Sequence, residues 1–85
     1  MNPKRIEYSE HAAARLRQRK ITRQDVRWLL ARGIRTKEWS RGGTQYWGAR
    51  GYLGKWEAQV IFLEDATRQL IVTVQWLGDA GDEVY

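Results

Sequence analysis

The chain has 85 residues, 42% of them hydrophobic and 29% charged, with a formal net charge of +5 at pH 7, a mix that predicts one folded domain over 1–85 with a small core. It holds no cysteine and a single histidine, His11, which excludes disulfides, thiolate chemistry, cysteine-ligated zinc and any metal site built on two histidines. No apolar run approaches the ~20 residues that cross a membrane, and the opening Met-Asn-Pro-Lys-Arg-Ile has no signal core, so a cytoplasmic protein with no membrane contact, metal or cofactor is expected.

The first predicted element is a helix over about 9–20. Ser9 is its N-cap and Glu10 sits at the positive end of its dipole. Ala12 and Leu16, at i and i+4, with Ala13, give one narrow apolar stripe. The second helix spans about 22–32, with Thr22 as N-cap and Asp25 as the acidic half of a capping box. Val26, Leu29 and Leu30 form its core face, and Gly33 reads as a left-handed C-terminal cap.

After Gly33 the texture changes to strands: Ile34–Trp39, a turn at Arg41-Gly-Gly43, then Thr44–Trp47, with Gly48, Gly51 and Gly54 punctuating the stretch before Trp56. Trp56–Glu64 and Gln69–Leu77 are the strongest strands, joined by a four-residue hairpin loop, Asp65–Arg68. The acidic tail 78–85 reads as frayed. Helices followed by strands predict an α+β domain: two N-terminal helices packed on one face of a three- to four-stranded antiparallel sheet. The expected core is Leu16, Ile21, Val26, Leu29 and Leu30 with most of Val60, Phe62, Ile71 and Val72.

Charge is unevenly placed. Residues 1–42 hold twelve of the fifteen basic residues and four of the ten acidic ones, a balance of +8 against −3 for residues 43–85. Eleven of the basic residues are arginine, whose planar fork of donors suits phosphate. RNA or another nucleic acid is the simplest partner. A solubilising surface, or a small acidic protein that docks on the basic half, fits the same charge.

Three constellations could carry chemistry. On the first helix His11, Arg15 and Arg19 follow at i, i+4 and i+8, drifting about 40° per step along the flank of the apolar stripe. Histidine exchanges protons near neutral pH. Metal-free RNA cleavage needs a base, an acid and cations for the developing phosphorane charge, and this stripe supplies at least two of them. The same residues equally suit a capped helix with solvated arginines. In the middle segment Tyr46, Trp47, Tyr52 and Trp56 alternate with Arg41, Arg50 and Lys55, a pattern suited to base stacking and phosphate contact, or to ordinary sheet cover. Tyr46 and Trp47 cannot both face the core. Arg23 and Arg27 on the second helix join Arg41, Tyr46 and Arg50 as the candidate nucleic-acid contacts. On the last strand Thr73, Gln75 and Leu77 share one face, either a site floor or the solvent side of the sheet.

The run Tyr8-Ser-Glu-His-Ala-Ala-Ala-Arg-Leu-Arg-Gln-Arg-Lys-Ile-Thr22, with Val26, Leu29, Leu30, Gly33 and Leu70-Ile-Val-Thr-Val74, resembles the small bacterial family called domain of unknown function 4258. The resemblance covers most of the chain. It implies a fold akin to the RelE- and ParE-like toxins and singles out His11, Arg15, Arg19 and Thr73 as catalytic candidates. RelE-type toxins carry their chemistry on basic residues of the late strands. Here those strands hold almost none, which moves the chemistry onto the first helix. The expectation is a small toxin-like RNA-binding protein that acts as a metal-independent endoribonuclease. A non-catalytic nucleic-acid-binding module and a domain whose basic half docks an acidic, antitoxin-like protein are the alternatives.

Overall fold

The segment Arg5-Ile-Glu-Tyr8 alternates polar and apolar residues, the period of a half-buried strand, and forms β1 (Arg5–Tyr8). The computed structural model describes residues 4–77, so the acidic tail 78–85 lies outside the described residues. After β1 come α1 (Glu10–Arg19), α2 (Arg23–Arg32), β2 (Ile34–Arg41), β3 (Thr44–Leu53), β4 (Trp56–Glu64) and β5 (Arg68–Trp76). The strands make one five-stranded sheet in the order β1-β5-β4-β3-β2. β2 to β5 form an antiparallel meander, whereas β1 runs parallel to β5.

This corrects the expected three- to four-stranded antiparallel sheet: it has five strands and is mixed. A four-residue strand gives too few alternations to stand out, and a parallel neighbour 63 positions away leaves no hairpin signal. β3 is also longer than the segment 44–47 read from the sequence, because its glycines serve close packing rather than turns. A Cβ on Gly48 would stand within 2.9 Å of the side chains of Thr36, Gln59 and Glu38. The last hairpin loop is one residue shorter than expected, since Arg68 opens β5.

Helix ends follow local chemistry. The Ser9 hydroxyl accepts from the Ala12 N–H at 3.0 Å. Thr22 and Asp25 form the full capping box, at 3.0 and 2.9 Å. α1 ends on Lys20, the only described non-glycine residue at positive φ, 57°. Gly33 is not the left-handed cap that the sequence suggests, because its φ is −74°. It is needed for a different reason. An added Cβ would lie 2.6 Å from the Leu29 carbonyl oxygen and 2.7 Å from that of Arg50, so only glycine lets the end of α2 approach β3 this closely.

α1 packs along β5, and α2 lies over β3 and β4. The core joins Ala12, Leu16, Ile21, Val26 and Leu29 to Ala49, Ala58, Val60, Phe62, Ile71 and Val74, all on one sheet face. Leu30 and Val72, expected inside, are only partly buried. Ile61 is buried but belongs to the opposite face and lies outside that cluster. No described helix is long and apolar enough to cross a membrane.

Candidate nucleic-acid interface

His11 lies in the first turn of α1 and is exposed. Its Nε2 accepts a hydrogen bond from Arg15 Nε at 3.3 Å, and Arg15 Nη1 donates to Gln18 Oε1 at 2.6 Å. The i,i+4 spacing thus brings imidazole and guanidinium together on the helix surface. Arg19 turns the other way: its Nη1 donates to the Val74 carbonyl, while its own carbonyl accepts from Trp76 Nε1 at 2.9 Å. β1 pairs with β5 only as far as Ile71, so Arg19 and Trp76 pin the end of α1 along the remainder of β5. Arg19 is therefore tied to main chain.

A second arrangement lies on the helix-bearing face of the sheet. Residues paired across neighbouring strands point to the same side. The register Lys37–Trp47–Phe62–Ile71–Tyr8 therefore forms one row across all five strands. Two guanidiniums lie on the aromatic members of that row. Arg23 stands 4.4 Å from the centre of the Tyr8 ring, and Arg35 stands 4.7 Å from Trp47 and 5.3 Å from Phe62. Arg27 follows Arg23 by one helical turn, and both are exposed.

Arg35 is fixed from below by Glu64. Its Nη2 donates to one carboxylate oxygen, while Lys4 Nζ lies 3.0 Å from the other and Gln69 Nε2 donates to it at 2.9 Å. The hydrogen bond from Arg35 is the main cause that holds the Glu64 pKa at about 2, below its usual 4.5, against the opposing effect of burial. A carboxylate whose folded pKa is depressed stabilises the fold fully above its unfolded pKa and loses that contribution as pH falls through the folded one. Stability should thus fall between about pH 4.5 and pH 2, and Glu64→Gln should lose less over that window than the wild type when urea midpoints are compared. Equal losses in both would remove Glu64 from the account.

The opposite, helix-free face carries a different set. Tyr46, Gly48 and Arg50 alternate along β3 and point there. The Tyr46 ring stacks on Trp39 at 5.1 Å with planes 22° apart. Arg50 lies 3.8 Å from Glu57, and Arg41 is exposed where β2 turns into β3. In the middle, Gln75 Nε2 donates to Gln59 Oε1 at 2.8 Å, Gln59 Nε2 donates to Glu38 Oε2 at 3.0 Å, and the Thr36 hydroxyl donates to the same oxygen at 2.5 Å. Thr73 pairs with Ile61 and so shares this face. Its hydroxyl has a 3.5 Å contact to the Val74 carbonyl, and no hydrogen bond joins it to His11, Arg15 or Arg19.

The candidate residues therefore divide. His11 and Arg15 meet, and Arg23 lies on Tyr8 with Arg27 one turn further along α2. Tyr46, Arg50 and Thr73 lie across the sheet from the helices, and Arg19 serves the fold. Tyr8, Arg35 and Glu64 escaped sequence reasoning as site residues. The readable signal was the alternation at Ile6 and Tyr8, which places Tyr8 on the core side of a strand. Among the described residues no three of His, Cys, Asp and Glu converge where a metal could sit.

Two helices on one face of a five-stranded mixed sheet, with arginines laid over a row of aromatic rings, define a small basic α+β domain. The chain belongs to the family described as Domain of unknown function (DUF4258), whose model matches residues 8–76. No curated protein and no solved structure matches it.

Proposed function

We propose that the protein binds RNA through its helix-bearing side and cleaves it without a metal, as a small toxin-like endoribonuclease with a fold akin to that of the RelE- and ParE-like toxins. The observation that carries the binding is the pair of guanidiniums over one aromatic row, Arg23 on Tyr8 and Arg35 on Trp47 and Phe62. Arginine planes held over these rings stack on unpaired bases, and the forks of the guanidiniums take phosphate oxygens. Residues 10–32, the two helices and their link, hold seven basic and two acidic residues, which draws a polyanion to this side.

For cleavage, His11 accepts the proton of a 2′-hydroxyl. The freed oxygen attacks phosphorus, the bond to the 5′-oxygen breaks, and the imidazolium returns the proton to the leaving oxygen. Arg15, already hydrogen-bonded to His11, stabilises the charge that builds on the phosphorane oxygens. Arg19 and Thr73 have no step here, the first held by main chain and the second across the sheet.

Incubating the purified protein with total RNA in EDTA tests the proposal. Fragments ending in a cyclic phosphate are expected. Contact with about four phosphates should give a log–log salt slope for binding near −3, at ~0.7 per contact for a single strand. Binding that ignores salt contradicts the electrostatic contact. Salt-dependent binding without cleavage leaves a nucleic-acid-binding module.

A further inference from the structure

Tyr8 carries the one buried side-chain polar atom among the described residues that has no hydrogen-bond partner, its hydroxyl oxygen. Buried polar groups are nearly always satisfied, and an exception calls for an unseen water or ion. Burial pushes the Tyr8 pKa up, and the charges of Arg23 and Arg27 pull against it. The phenol stays protonated at neutral pH, as a donor in need of an acceptor.

The groups around it say what kind of acceptor. Arg23 lies over the ring. Arg27 lies one turn further on the same helix flank. Neither arginine forms an ion pair with any described residue, unlike Arg35, Arg50 and Arg68, each of which has an acidic partner. One O–H donor and two guanidinium forks without a carboxylate partner match a tetrahedral oxyanion.

We infer that Tyr8, Arg23 and Arg27 form a phosphate site: the two guanidiniums grip the anion, and the Tyr8 hydroxyl donates to one of its oxygens. The identity of that phosphate as an RNA backbone group rests on the function proposed above. The site itself is defined for phosphate alone. Arg23 and Arg27 are exposed side chains.

Thermal melts and calorimetric titrations with inorganic phosphate, against chloride at matched ionic strength, test this. Phosphate should raise the melting temperature of the wild type. Tyr8→Phe keeps the ring and should melt no lower than the wild type in chloride, since it removes an unsatisfied group. Its affinity for phosphate should be about tenfold weaker, the worth of a hydrogen bond to a charged acceptor. The Arg23→Ala/Arg27→Ala double variant should lose the phosphate effect. A wild type indifferent to phosphate, or a Tyr8→Phe protein that binds it equally well, overturns the site. A single-stranded RNA oligonucleotide titrated in parallel separates the two ideas. Phosphate binding through Tyr8 without RNA binding supports the site and defeats the RNA reading. RNA binding without any phosphate effect defeats the site alone.

Discussion

Replacing His11 by alanine should lower the rate of RNA cleavage by about 10²–10⁴-fold, the usual worth of a positioned proton-transfer group, and leave RNA affinity nearly unchanged. His11 is exposed and its one side-chain hydrogen bond comes from Arg15, so the fold should tolerate the change within ~0.5 kcal/mol. A rate loss could not then be blamed on unfolding. Arg15→Ala should behave differently, because a guanidinium takes part in binding as well as in charge stabilisation; affinity and rate should both fall. Cleavage assays on the two variants at several RNA concentrations separate these effects. Full activity in His11→Ala, or wild-type activity lost in EDTA and restored by a divalent ion, would defeat the mechanism.

The second large effect concerns stability. Phe62 sits in the middle of β4, 1% exposed, between Trp47 and Ile71 in the cross-sheet row and beneath the Arg35 guanidinium. Phe62→Ala should cost ~3–5 kcal/mol, combining lost transfer energy with the cavity left behind. At ~0.05–0.15 kcal/mol per residue, a domain of this length has about 4–13 kcal/mol in total, so the loss takes a large share of it. The urea midpoint of the variant should drop steeply with the slope little changed. A loss of under ~1 kcal/mol would mean that the centre of the sheet is not where the fold is held.

The helices were legible because their ends are written locally. Ser9 is followed by an acidic first turn, and Thr22 stands three residues before Asp25; both capping patterns act over a single turn. The meander was legible in part, through the β-branched density of β4 and β5. The strict alternation of strands is also enough to place Tyr46 and Trp47 on opposite faces. What escaped reading was non-local. β1 is four residues long and its partner is the last strand. Gly48 and Gly51 resembled turn punctuation and turned out to make room for side chains from neighbouring elements. The candidate site follows the same division. The His11–Arg15 pair is an i,i+4 contact that helical spacing predicts. The placing of Arg35 on Phe62 joins residues 27 positions apart, and the bond from Arg19 to Val74 spans 55. No local pattern encodes such contacts, and both the helical spacing and the family resemblance place Arg19 beside His11 and Arg15 without showing its bond to Val74.

The parallel pairing of β1 with β5 also sets the order in which this protein can come into being. Register partners such as Arg5 and Arg68 meet only when nearly all of the described chain has been made, and closing so long a loop comes late and slowly. The β2–β5 meander grows by short hairpins, each strand docking on the one before it. β1, the first of the described strands in chain order, is thus the last to find its place, and α1, whose apolar stripe rests on β5, waits with it. Until β5 has been made, the apolar stripe of α1 has no sheet to cover it.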